Sequence, residues 1–208
     1  MNKVVSAQFG CGLSCPQGWL NFDASPTLRI QKIPVVGKWI TKNRVTFPDA
    51  VKYGDVLKGL PLANNSVDHM YCSHVLEHLS FQDFHNALKE VHRCLKVGGE
   101  FRVVMPDLKP IAEKYLKSDE PNASLSFLRE TMLGIEDRPK GMLNRFIGSM
   151  GNHHHLWLWD NPSTIHALEQ IGFTAIRKYQ FDKEEMSVFA KVEEESRFYN
   201  AISISCLK

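Results

Sequence analysis

The sequence predicts an α/β fold built on a parallel sheet, and three observations carry that prediction. Residues 67–72 (VDHMYC) and 101–105 (FRVVM) are short apolar runs of strand character. Between them Val75, Leu79, Leu88, Val91 and Leu95 recur at helical spacing, and Gly98 with Gly99 supplies a turn before the second run. Strand, helix, turn, strand is a βαβ unit, whose crossover makes the two strands parallel. The third observation is size. A chain of 208 residues, 43% hydrophobic and 23% charged, can bury one sizeable core, so a single domain over residues 1–208 is expected.

The remaining elements follow in chain order. Residues 4–9 and 19–22 read as strands, and Val103 with Val104 suits a strand buried on both faces. From 107 to 160 the pattern changes to polar-apolar segments such as KPIAEKYL and ASLSFLRETMLG, broken by Pro121, Gly134, Pro139 and Gly141, which predicts a mostly helical insertion. A helix then starts at Asn161, Pro162 and Ser163 and stops at Gly172. Residues 173–181 and 201–207 alternate as strands, separated by the charged runs DKEE and KVEEESR. No internal repeat interrupts this order.

Charge and cysteine usage narrow the function classes. The 25 basic and 23 acidic residues are interspersed and leave a net charge of +2, so no electrostatic footprint for nucleic acid is visible. Five cysteines, an odd number without CxxC spacing, argue for reduced thiols rather than a disulfide framework. The apolar run in MNKVVSAQFGCG is too short for a signal peptide, and no stretch approaches the ~18 residues of a membrane span. A cytoplasmic protein is the expectation, with its oligomeric state open.

The chemistry begins at Gly10-Cys11-Gly12, directly after the first strand, where missing β-carbons let a ligand lie against the backbone. Asp23 ends the next strand, WLNFD, where a carboxylate can accept from both hydroxyls of a ribose or serve as a turn aspartate before Ser25 and Pro26. Asp55 precedes LKGLPLANNSVDHMYCSHVLEHL.

The succession of an acid, LPL, a polar turn, SVD, a strand, SHVLEHL, a long helix, RCLKVGGEF and VVMPD resembles class I S-adenosylmethionine-dependent methyltransferases of the methyltransferase type 11-like kind. GCG, a short loop and GWLNFD resemble a bacterial subgroup associated with cell-surface sugar biosynthesis. The resemblance covers residues 3–107 strongly and 153–181 more loosely. It implies a Rossmann-like, mainly parallel seven-stranded sheet with helices on both faces, an antiparallel last strand at 201–207, and an insertion covering the site. It also implies S-adenosylmethionine as cofactor and a small-molecule or sugar or glycan acceptor. In that resemblance Asp23 holds the ribose diol, Asp55 accepts from the adenine amine, and the Val56 N–H meets a ring nitrogen. Gly10 and Gly12 admit the amino-acid end and sulfonium, and Ser73 with His74 lines the donor methyl. Were the acceptor a hydroxyl, the candidate bases are His74, one of the histidines 153–155 (His154 or His155 foremost) and Asp107.

Two positions depart from the family pattern. Gln8 stands where many members carry an acid, and only residues 13–18 separate the glycine turn from the second strand, too few for a helical crossover. The usual first helix must be missing or replaced by a loop, which keeps a non-catalytic adenosyl-binding relative as one alternative. A second is a zinc-dependent hydrolase, because residues 74–78, HVLEH, match the HxxEH pattern in which two histidines bind zinc, with a third ligand available at 153–155. The methyltransferase pattern explains the same block without a metal, and none is expected. Trp157 and Trp159 are either core or a substrate platform. A dinucleotide site fits poorly: Cys15 occupies the third glycine position and Asp23 comes too early.

Overall fold

The computed structural model describes residues 4–33, 46–135, 154–184 and 187–208. Seven strands form one sheet: β1 (Ser6–Phe9), β2 (Trp19–Asp23), β3 (Lys52–Tyr53), β4 (Val67–Ser73), β5 (Leu95–Pro106), β6 (Thr174–Lys178) and β7 (Ala201–Leu207). Their spatial order is β3-β2-β1-β4-β5-β7-β6. The first five are parallel neighbours, and β7 lies antiparallel between β5 and β6. The expected mainly parallel sheet with an antiparallel last strand is therefore present. Strand order reverses between β1 and β4, and ligands of open α/β sheets bind at such a switch point, outside the carboxyl ends of the strands.

Five α-helices are seen among the described residues: α1 (Pro26–Gln31), α2 (Phe81–Cys94), α3 (Leu108–Leu116), α4 (Ala123–Glu130) and α5 (Asn161–Ile171). Helices α3 and α4 fall in the stretch read as an insertion, whose residues 136–153 lie outside the described residues. No helix among the described residues is long and apolar enough to cross a membrane.

Where the chain differs from the sequence pattern, local chemistry supplies the reason. The helix expected from 74 onward is broken. His74 has φ +54°, Leu76–His78 forms a single 3₁₀ turn, and Leu79 is extended. Helix α2 starts only after Ser80, whose Oγ accepts from the Asp83 N–H at 3.2 Å, an N-cap that the apolar spacing of Val75 and Leu79 had masked. Strand β5 begins at Leu95 and carries Gly98 and Gly99 inside an irregularity opposite β4, rather than as a turn before residue 101. Helix α5 is capped one residue earlier than the Asn161 signal: Asp160 Oδ1 accepts from the Ser163 N–H at 2.9 Å, and Gly172 closes the other end in the left-handed region.

The two faces of the sheet are built differently. On one face Ala7, Phe9, Phe22, Met70, Cys72, Phe101, Val103, Met105, Ile202 and Ile204 form the main core with α2 and α5. Helix α2 contributes Phe84, Ala87, Leu88, Val91 and Cys94, the larger of which are worth roughly 1.5–3 kcal/mol each when fully buried. The opposite face presents Ser6, Gln8, Asn21, Tyr71, Arg102, Ser203 and Ser205, and the segment 187–198, with its 3₁₀ turns Val188–Lys191 and Glu195–Phe198, packs against part of it. Phe189 is buried there against Trp19 and Tyr71, with the Arg102 guanidinium 4.3 Å from its ring centre. Arg102 Nη1 lies 3.2 Å from Glu193 Oε1, which also accepts from the Tyr179 hydroxyl at 2.9 Å.

Candidate active site at the strand ends

Residues 10–18 cross from β1 to β2 without a helix, as the short spacing required. Gln8 holds this loop down. Its Nε2 donates to Asn21 Oδ1 at 2.7 Å and to the Ser14 carbonyl at 3.2 Å, so the side chain is buried and committed to the loop rather than turned toward a ligand. Gly10 and Gly12 both have positive φ, +62° and +54°. A β-carbon on Gly10 would stand 2.2 Å from Val75 Cγ2, whereas one on Gly12 would meet nothing within 4 Å. The first glycine is thus required for packing of the turn on β4's continuation, and the second borders open space.

Asp23 ties the mouth of β2 to that turn. Its Oδ2 accepts from the Gly12 N–H at 2.9 Å and its Oδ1 from the Ser25 N–H at 2.7 Å. The turn-aspartate role is therefore real, and each oxygen keeps a second lone pair. Burial, followed by the nearby Asp23 charge, pushes the Cys11 thiol up to about 12, so it stays protonated and unreactive. Asp55, just past β3, accepts from the Leu57 N–H at 3.0 Å, and the neighbouring Val56 side chain is in the core. Among the described residues the Val56 N–H has no hydrogen-bond partner. At the end of β4, Ser73 Oγ and the Tyr71 hydroxyl are both buried and neither meets a partner of good geometry among the described residues.

His74 follows Ser73, anchored by its N–H to the Val104 carbonyl at 2.8 Å. Its Nε2 contacts the Arg197 carbonyl at 3.0 Å and its Nδ1 lies 3.5 Å from Glu77 Oε1. Glu77 is 1% exposed and neither carboxylate oxygen has a hydrogen-bond partner among the described residues; burial pushes its carboxyl up to about 8. His155 is buried on the other side, Nδ1 2.9 Å from the Thr131 carbonyl and Nε2 4.0 Å from Glu77 Oε1. Burial lowers the pKa of both His74 and His155. His154 points away, exposed, with Nδ1 3.4 Å from the Met132 carbonyl, and His153 lies outside the described residues. The structure thus brings His74 and His155 together around Glu77. The sequence gives that carboxylate a role only within the zinc alternative; its position between the apolar Val75-Leu76 pair and His78-Leu79 is the available signal.

Asp107 lies apart from that cluster. It caps α3, Oδ1 accepting from the Lys109 N–H at 2.9 Å and Oδ2 from Asn161 Nδ2 at 2.8 Å. It borders a cleft of about 510 Å³ with Lys178, Tyr179, Phe181, Phe198 and Asn200, on the β6–β7 side of the sheet and away from Gly10, Gly12 and Asp23. Strand-end geometry and the glycine turn, not the size of that cleft, locate the site. Of the two tryptophans, Trp159 is buried, stacked on Phe84 at 4.0 Å, while Trp157 is half exposed beside the exposed Phe81, their rings 5.1 Å apart. The Leu156 N–H donates to the Glu77 carbonyl at 2.9 Å, which sets this aromatic pair next to the β4 mouth.

Residues 8–103 match the family model described as Methyltransferase domain. No curated protein matches the chain. Among solved structures the chain is similar to an S-adenosylmethionine-dependent methyltransferase, possible histamine N-methyltransferase, from Thermotoga maritima, at 15% identity and TM-score 0.52, covering 100% of this chain and 84% of that one. It is similar to a complex of the Haloferax volcanii Trm112 methyltransferase activator with the putative methyltransferase, at 14% identity, TM-score 0.51 and coverage of 99% and 82%. It is also similar to PigF with SAH, at 14% identity, TM-score 0.51 and coverage of 99% and 50%.

Proposed function

We propose that this chain, whose residues 8–103 match the methyltransferase-domain model, takes a methyl group from S-adenosylmethionine and transfers it to a small-molecule acceptor, with a sugar or glycan favoured, at the mouth of β4. The observation that carries the reading is the Gly12–Asp23 hydrogen bond, which fixes an open-sided glycine turn and a ribose-competent carboxylate side by side at the switch point. The local chemistry fits the donor. The space beside Gly12 admits the amino-acid end, the remaining lone pairs of Asp23 accept ribose hydroxyls, Asp55 accepts the adenine amine, and the Val56 N–H, without a partner among the described residues, offers a donor to the ring.

When bound, S-adenosylmethionine supplies a methyl already activated by a positive sulfur, so the protein's work is to align the acceptor and keep water out. Ser73 and His74 form the wall beside the methyl position, His74 being rigidly held by its backbone bond to Val104 and its ring contact to the Arg197 carbonyl. Trp157 and Phe81 offer an exposed aromatic surface next to it, and it is this surface that favours a sugar ring, whose apolar face stacks on aromatics. His154 and His155 enter the reading through the segment that carries Trp157. Asp107, engaged by the Lys109 N–H and Asn161, acts as a helix cap rather than as a base.

The test separates donor from acceptor. Asp23→Asn and Asp55→Ala are each expected to weaken S-adenosylhomocysteine binding by ~1–3 kcal/mol in calorimetry. With an acceptor in hand, His74→Ala is expected to lower turnover by ~10²-fold through lost positioning while donor affinity stays near that of the unsubstituted protein. Donor affinity unchanged in both aspartate variants would remove the assigned donor site.

A further inference from the structure

Around Glu77 the hydrogen-bond count does not close. Each of the three histidines beside it has one ring nitrogen against a backbone carbonyl: His74 Nε2 to Arg197, His78 Nδ1 to His154 at 3.1 Å, and His155 Nδ1 to Thr131. A carbonyl only accepts, so those nitrogens carry the hydrogen, and in a neutral imidazole the lone pair sits on the other nitrogen. That leaves Nδ1 of His74 and Nε2 of His78 and His155 as acceptors, beside a carboxylate whose two oxygens are buried and have no donor among the described residues. Two buried carboxylate oxygens with no donor cost free energy unless a cation or a shared proton completes them.

The grouping is also compact. One ligand atom each from Glu77, His78 and His155 lie within 4.8 Å of one another, and the His78 and His155 rings are 5.0 Å apart. Tetrahedral ligands at 2.0–2.1 Å from zinc stand about 3.3 Å from each other, so side-chain rotation of an ångström or so closes the set. The backbone is already braced for it, because the Leu156 and Trp157 N–H groups both reach the Glu77 carbonyl, at 2.9 and 3.3 Å. The carbonyl contacts that fix each histidine's tautomer are the outer-shell arrangement common to metal-bound imidazoles.

We propose that Glu77, His78 and His155 bind one divalent transition-metal cation of the zinc class, with a fourth position open toward the β4 mouth. Two imidazoles and one carboxylate suit such an ion rather than magnesium or calcium, which take oxygen ligands. This is not the HxxEH pairing of two histidines on one helical face. His74 sits at a left-handed residue and Leu76–His78 is a 3₁₀ turn, so the second imidazole comes from His155, far along the chain. A bound ion fastens residues 154–157 to the turn after β4 and sets its open position for water or an acceptor oxygen next to the methyl site.

The experiment titrates chelator-treated full-length protein with Co²⁺, read by visible absorption, and with Zn²⁺, read by calorimetry. One equivalent is expected to bind, with a rise in melting midpoint, and Glu77→Gln, His78→Ala and His155→Ala are each expected to lose at least about 100-fold in affinity. His154→Ala, which leaves the set intact, keeps it. S-adenosylhomocysteine affinity is measured on the same samples, so failure of the metal site and failure of the donor site read out separately. His78 is only partly buried, which makes His78→Ala decisive should a variant of Glu77 or His155 not fold. No stoichiometric binding would overturn the site in favour of a proton held on Glu77, and binding indifferent to His78→Ala or lost in His154→Ala alone would overturn it in favour of other ligands.

Discussion

The two faces of the central sheet solve burial in opposite ways. Under α2 and α5 the strands contribute almost only apolar side chains, so cohesion there is hydrophobic and insensitive to charge. Under the 187–198 segment the same strands contribute Gln8, Asn21, Arg102 and Ser205, each buried and each hydrogen-bonded. The contrast follows from the missing first helix. A short loop spans β1 to β2, Gln8 and Asn21 bind that loop and each other, and the later segment brings Phe189 and Glu193 to the rest of the face. The apolar face supplies stability, while the polar face fixes which segment lies where.

The largest effect that sharpens this difference is expected on the apolar side. Phe84→Ala, removing a fully buried ring stacked on Trp159, should cost about 3–5 kcal/mol in urea unfolding. On the polar side Arg102→Met should cost roughly 3 kcal/mol, because it strands the buried Glu193 carboxylate. The double variant Arg102→Met with Glu193→Leu should recover most of that loss; a double variant as unstable as the sum of the singles would show that the pair adds net stability and would erase the contrast. Gln8→Ala, cutting two hydrogen bonds to the β1–β2 connection, should cost about 1–2 kcal/mol and weaken S-adenosylhomocysteine binding with it, since the glycine turn rests on that loop. Stability lost without any change in ligand affinity would separate the loop from the site.

The smallest effect is one of pH. Burial works to raise the Asp68 carboxyl, but hydrogen bonds from Lys96 and the Val5 N–H outweigh it and hold the group below its ordinary range. A depressed pKa contributes stability above the unfolded value near 3.8 and loses it as pH falls through the lower folded value. Asp68→Ala should therefore be less stable by about 1 kcal/mol at neutral pH, with the gap to the unsubstituted protein closing below about pH 4.

The same contrast explains what the sequence made legible. The strands and α5 were readable because hydrophobic alternation and caps are local, and the missing first helix was readable from the few residues between Gly12 and Trp19. Strand β3 was not, since two residues carry no period. The break at His74 and Leu79 was hidden because Val75 and Leu79 imitate helical spacing while packing from a turn. At the proposed site, Gly10, Gly12, Asp23 and Ser73 are named from the family resemblance and their place at predicted strand ends, and Asp55 and Val56 from the resemblance. The union of Glu77 with His155 was not, because it depends on a contact between residues 78 positions apart in the chain, which nothing local announces.

The most direct test of the account is a calorimetric titration of the unsubstituted protein with S-adenosylhomocysteine, paired with a thermal melt. One saturable site per chain and a melting midpoint that rises with ligand concentration are expected. Absence of both heat and thermal shift would contradict it, and would leave the strand-end glycines and Asp23 as architecture alone.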